Sequence, residues 1–165
     1  MNEMRDRGNP IIDDLVDESV ESAVAVAGHP LHAMSVHFPI ALVIATLGCD
    51  VFYWWTADPF WVRAGLWAAG FAFASGVGAG LVGTAELLLV AGIRSRVASW
   101  THAIAAMTLI AVMGTNWGLR LSGGDVLPDG LILSVLASVF TGLAGWHGGK
   151  LVFDHGIGLI VSGKD

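Results

Sequence analysis

The groups in this chain best suited to chemistry are six histidines, His29, His32, His37, His102, His147 and His155, and one carboxylate inside a long apolar run, Glu86. An imidazole can bind a metal through one ring nitrogen while an acceptor orients the other. Two such nitrogens complete the axial shell of a haem iron. Three or four of them with Glu86 could instead hold zinc, copper or iron directly, or the same groups could relay protons and line a quinone pocket. Spacing argues against a bare ion. His29 and His32 are close enough to share a metal, but there is no H-E-x-x-H and no second close pair. Nucleophilic catalysis finds little support, since no G-x-S-x-G appears and no glycine-rich phosphate loop follows a strand. The lone Cys49 excludes an intramolecular disulfide and a C-x-x-C-H haem attachment.

The elements that must position these groups are transmembrane helices. Of 165 residues 55% are apolar and only 13% charged, and the charges crowd into the N-terminal stretch and short connections. The uncharged stretches 64–85, 97–119 and 130–149 are each long enough to cross roughly 30 Å of hydrocarbon. Four membrane helices are expected, from about Pro30 to Trp55, Phe60 to Gly92, Val97 to Arg120 and Asp129 to Phe153. Short connections make sequence neighbours antiparallel, so the fold class is all-α, an up-and-down four-helix membrane bundle. Tyr53, Trp54, Trp55, Trp61 and Trp117 frame one surface, and Trp100, Trp146 and Phe153 the other.

Before the bundle, Asn9 to Ala27 reads as an amphipathic helix, with Ile11, Ile12, Leu15, Val16, Val20 and Ala23 on one face and Asp13, Asp14, Asp17, Glu18 and Glu21 on the other. This divides the chain into an acidic segment, 1–28, and a membrane domain, 29–165. The net charge of −6 makes nucleic acid an unlikely partner. Basic residues favour the surface that holds both termini, so the positive-inside rule places both in the cytoplasm, which suits a bacterial inner-membrane protein.

Even crossings send all six histidines to one membrane surface, with His37, His102 and His147 at similar depths and Glu86 beside them. The first and third helices are diagonal partners, so one imidazole from each could approach a common iron. At the other end, Asp50 is positioned to pair with Arg120 in a structural salt bridge, and Asn116 shares the His102 face. Gly76, Gly80 and Gly83 on the second helix, and Gly142, Gly145 and Gly149 on the fourth, read as close-packing faces.

Three stretches carry a family resemblance: Gly28 to Leu42 (GHPLHAMSVHFPIAL) followed by Asp50, Trp100 to Arg120 with His102 and Asn116, and Gly145 to Leu159 (GWHGGKLVFDHGIGL). Together they resemble a bacterial membrane family known as domain of unknown function 2231. The resemblance implies a four-helix bundle found beside or fused to redox partners such as Rieske or cytochrome domains. On the matching positions His29, His32, His102 and His155 look like family histidines, and His37 and His147 like additions. Ala33 stands where the family often has proline, and Glu86 where an aspartate is common. The expectation is therefore a subunit that binds haem b and exchanges electrons with a quinone or a redox partner, a redox subunit of a larger complex in preference to a stand-alone enzyme. His32 and His102 lead as axial ligands, His155 and His37 compete, and His29 and Glu86 complete the candidate set. The alternatives are a cofactor-free anchor or assembly subunit, and a small proton or metal-ion transporter using His102 and Glu86.

Overall fold

The computed structural model of the protein describes residues 22–27 and 29–154. The expected amphipathic helix lies mostly outside them, as does His155. Its last residues are not helical. Ala25–Val26 (β1) pairs antiparallel with His29–Pro30 (β2), and the Leu31 amide donates to the Val24 carbonyl at 3.1 Å. The cause is local: a residue preceding proline is pushed away from helical dihedrals, so the chain reverses in a small hairpin before it enters the membrane helices.

Four helical spans long and apolar enough to cross a membrane follow. The first consists of α1 (Leu31–Ser35) and α2 (His37–Thr56), interrupted at Val36. Pro39 explains the interruption, because it has no N–H to offer the turn before it and its ring crowds the carbonyl there. Helix α2 stops at Ala57, which takes the left-handed conformation (φ 54°). The chain then starts α3 (Pro59–Leu89) at once, with Pro59 in the first turn and the Asp58 carboxylate accepting from the Phe60 amide at 2.9 Å.

The second span was expected to reach Gly92 but ends at Leu89, where Val90 is extended. A short α4 (Ala91–Arg94) makes the corner. Arg94 donates to the Leu88 carbonyl at 2.9 Å and so satisfies one of the acceptors left open at the end of α3. Helix α5 (Val97–Leu121) and helix α6 (Leu131–Phe153) complete the bundle. Between them Gly123 adopts φ 76°, and a wide turn, Val126–Gly130, leads into α6 two residues later than expected.

Helix α2 packs on α3 and α6, and α5 packs on the same two, while the diagonal pairs scarcely touch. This is the up-and-down bundle. Its centre is made of Val43, Ala69, Ala72, Met113 and Ala137, flanked by Leu42, Phe73, Leu109, Val112 and Trp117. Three alanines in that set let backbones approach closely, which is how helices gain packing energy where lipid supplies no hydrophobic drive. Trp117 belongs to this interior rather than to a surface belt: its ring lies against Phe73 and Gly70. By contrast Trp54, Trp55 and Trp67 are exposed, and Trp61 stacks on Phe52. The glycines at 142, 145 and 149 face open space, so the expected close-packing face on the fourth helix is not where those residues point.

The buried positions recur between the two hairpins. Val43, Thr46 and Asp50 on α2 are matched by Met113, Asn116 and Arg120 on α5, each pair 70 positions apart. Gly65, Ala69, Ala72, Gly76, Ala79 and Glu86 on α3 are matched by Gly130, Ser134, Ala137, Thr141, Ala144 and Leu151, each pair 65 positions apart. These spacings and the packing of the helices fit two hairpins related by an approximate two-fold axis along the bundle, the parallel form of internal repeat found in membrane proteins.

Candidate functional site

Two polar layers lie near that axis, one at each end. His32 and Asp50 are 18 residues apart, and so are His102 and Arg120. At 1.5 Å per residue this separates the layers by about 27 Å, close to the thickness of the hydrocarbon.

In the histidine layer the rings of His32 and His102 meet with centroids 6.0 Å apart and planes at 82°. Nδ1 of His32 lies 2.9 Å from the Ala79 carbonyl oxygen, and Nδ1 of His102 lies 2.9 Å from the Ala144 carbonyl oxygen. A carbonyl can only accept, so both Nδ1 atoms carry the proton, and in the neutral form of each ring Nε2 is the nitrogen left unprotonated. Ala79 and Ala144 are repeat equivalents. The glycines one turn beyond them, Gly83 and Gly148, are also equivalents, and each accommodates an imidazole. A β-carbon at Gly83 would sit 2.6 Å from Cε1 of His32, and one at Gly148 would sit 3.1 Å from Cε1 of His102. With no side chain there, each ring reaches a carbonyl already used by the helix, taking its second lone pair. The two histidines thus have the same tautomer and the same kind of support, from different helices.

The other candidates are arranged differently. His29 and His37 are exposed and bond locally, through Nδ1 to the carbonyls of Ala27 at 2.9 Å and Met34 at 3.2 Å. His147 precedes the glycine against which His102 lies. Glu86 is buried at the same end of the bundle and takes a hydrogen bond from the Ser22 hydroxyl, which reaches it from the N-terminal hairpin. It breaks the repeat, since its equivalent is Leu151. Ser99, three residues before His102, is also buried, and its hydroxyl has no partner among the described residues. Among the described residues no three His, Cys, Asp or Glu side chains come close enough to hold a metal ion.

At the opposite end Arg120 donates through Nη2 to both oxygens of Asp50, at 2.8 and 2.7 Å, and through Nε to Oδ1 of Asn116 at 2.8 Å. Asn116 Nδ2 donates to Ser134 Oγ at 2.9 Å, and Ser134 donates to Asp50 Oδ2 at 2.5 Å, which closes the ring. Asp50, Asn116 and Ser134 are wholly buried. The network joins α2, α5 and α6, and Arg120 Nη1, buried without a partner, lies beside Gly65 on α3. The expected salt bridge is present with Asn116 in it, and a structural role accounts for its closure.

Ser134, Ser99, Gly65 and Gly148 are absent from the motif-based candidates. The signal that could have found them is the shared spacing of His32 to Asp50 and His102 to Arg120, which exposes the repeat and hence the equivalent positions on the partner helices.

Residues 28–160, which span both layers, match a family model described as predicted membrane protein, domain of unknown function 2231. The chain belongs to this family. No curated protein and no solved structure matches it. For this member of the family, then, the mirrored histidine pair and the buried ion-pair network are the features from which function has to be argued.

Proposed function

We propose that the protein is a membrane electron-transfer subunit in which His32 and His102 would hold a haem b. The observation that supports this is the mirrored pair: two imidazoles on diagonal helices, each with Nδ1–H fixed to a backbone carbonyl and Nε2 free. A site with two protein donors among the described residues suits haem, whose macrocycle supplies the remaining four nitrogens, and does not suit zinc or copper held by protein alone. Spacing agrees as well. The two ring centroids are 6.0 Å apart, close enough for one group to be reached by both imidazoles.

Haem in such a site supplies reversible one-electron chemistry. The chain's own residues do the rest. The Ala79 and Ala144 carbonyls hold the tautomer and raise the basicity of each ring, and the surrounding apolar helices exclude water. Proton exchange with a quinone at this end of the bundle is assigned to Glu86, a buried carboxylate whose partner is the Ser22 hydroxyl. A quinone and a redox protein in a larger complex are the proposed electron partners. The proposed location is the bacterial cytoplasmic membrane with both termini inside, supported by the distribution of basic residues.

The test is an absorption spectrum of protein purified from a haem-replete host. A Soret band lost in His32→Ala and in His102→Ala, and kept in His37→Ala, supports the reading. A colourless wild-type protein rejects it.

A further inference from the structure

We propose that Gly83 and Gly148 are positioning residues that hold the two ligand rings crossed, so that this site gives a low-spin haem with perpendicular axial imidazoles. The inference rests on the haem reading above and adds a claim about ring orientation.

An imidazole bound through one nitrogen can ordinarily turn about the metal–nitrogen bond, and its plane is set by whatever the other nitrogen meets. Here that freedom is removed twice in each ring. The Nδ1–H is tied to a carbonyl at 2.9 Å, and the ring edge rests on a glycine backbone: Cε1, Nδ1 and Nε2 of His32 lie 2.6, 2.7 and 3.2 Å from the place a Gly83 β-carbon would occupy. The carbonyl and the glycine belong to the same turn of a transmembrane helix, so they cannot shift independently. Because the two supporting turns lie on α3 and α6, the ring planes inherit the relation between those turns. The result is the observed 82° between His32 and His102.

That angle has an electronic consequence. Each imidazole donates mainly into the iron d orbital perpendicular to its own ring. Parallel rings act on one of the two d-π orbitals and split them, whereas crossed rings act on one each and leave them nearly degenerate. Near-degeneracy in the ferric state gives a strongly anisotropic low-spin resonance with one very large g value. Split orbitals give the ordinary rhombic spectrum.

Frozen-solution electron paramagnetic resonance of the oxidised, haem-loaded protein reads this directly. The wild type should show the large-g anisotropic signal. Gly83→Ala should move it toward the rhombic form or generate high-spin iron, because the new methyl displaces His32 from its carbonyl. Gly148→Ala should do the same to a smaller degree, since the contact there is 3.1 Å rather than 2.6 Å. Gly78→Ala and Gly149→Ala are the controls, as neither site has an atom within 4 Å of the added carbon, and both should leave the spectrum unchanged. Alanine favours helix over glycine by about 1 kcal/mol, so the substitutions do not by themselves threaten the helices. A rhombic wild-type spectrum overturns the proposal and leaves haem binding intact. So does a spectrum in which Gly83→Ala matches Gly78→Ala. Protein without haem removes both this proposal and the reading beneath it.

Discussion

The Asp50–Arg120 network offers a test that is independent of any cofactor. Arg120→Met leaves the Asp50 carboxylate, which is wholly buried, with Ser134 as its one remaining donor and also frees Asn116 Oδ1. Removing one member of a buried pair typically costs about 3–5 kcal/mol, because the other charge stays behind uncompensated. Asp50→Leu strands the guanidinium instead and should cost a similar amount, consistent with the roughly 2.5–3.5 kcal/mol of placing an arginine at membrane depth. The double variant leaves no charge. It loses the bonds that Asn116 and Ser134 make to the two charged groups, leaves those two side chains bonded to each other, and should cost about 1–3 kcal/mol. The three proteins can be compared by unfolding in mild detergent titrated with a denaturing detergent, followed by far-UV circular dichroism and by the fluorescence of the seven tryptophans. The expected pattern is that both single variants are less stable than the double, with a coupling of at least about 3 kcal/mol, at the upper end of what contacting residues show. Additive costs would mean that the pair is not stabilising the bundle as a unit.

Other outcomes follow from the same contacts. Gly65→Ala places a methyl 2.8 Å from Arg120 Nη1 and should destabilise by about 1–3 kcal/mol, whereas Gly48→Ala, with nothing within 4 Å, should be neutral or mildly stabilising in the same unfolding assay. Asn116→Ala removes the acceptor for Arg120 Nε and the donor to Ser134, for a loss of about 1–3 kcal/mol. Glu86→Leu gives α3 the residue its repeat equivalent has at Leu151, so thermal stability should hold or rise; a clear loss would show that the Ser22 contact anchors the N-terminal hairpin. Single cysteines introduced at Ala33 and Asp125, in a Cys49→Ala background, should label from opposite faces of sealed vesicles; labelling from one face would contradict the four crossings.

Much of this architecture is legible in the sequence because membrane physics leaves few choices. Long uncharged runs at about 20 residues each must be helices, and short links must make them antiparallel. That reasoning also brings His32 and His102 to one end, and Asp50 to Arg120, since an unpaired charge at such depth needs its opposite. What it cannot reach is side-chain register. The glycine pattern at 142, 145 and 149 has helical spacing, yet these residues face outward, and it is Gly130 and Gly148 that lie beside Arg120 and His102. Composition makes both sets equal, and only the rotation of α6 decides between them. The hairpin at Ala25–Val26 was hidden for a different reason: the amphipathic period runs on to Ala27, and the restriction imposed by Pro30 acts locally against it.

The repeat connects these findings to function. If the two hairpins had identical inner faces, each layer near the axis would hold two like groups. At one end this is what the protein has, two histidines with equivalent supports, and like neutral groups there can bind one object from opposite sides. At the other end two like charges would repel in a low-dielectric setting, and the chain has Asp50 where the repeat has Arg120, which turns repulsion into attraction. The asymmetry of Asn116 against Thr46, and of Ser134 against Ala69, follows the same need, because a buried ion pair holds only when its remaining donors and acceptors are met. Symmetry is therefore broken where charge must be neutralised, and kept where two nitrogens are needed. Glu86 is the exception at the histidine end: it departs from its equivalent Leu151 without gaining an opposite charge among the described residues. A carboxylate in such a position is costly to keep, and that cost is why the proposed proton exchange with a quinone is assigned to Glu86.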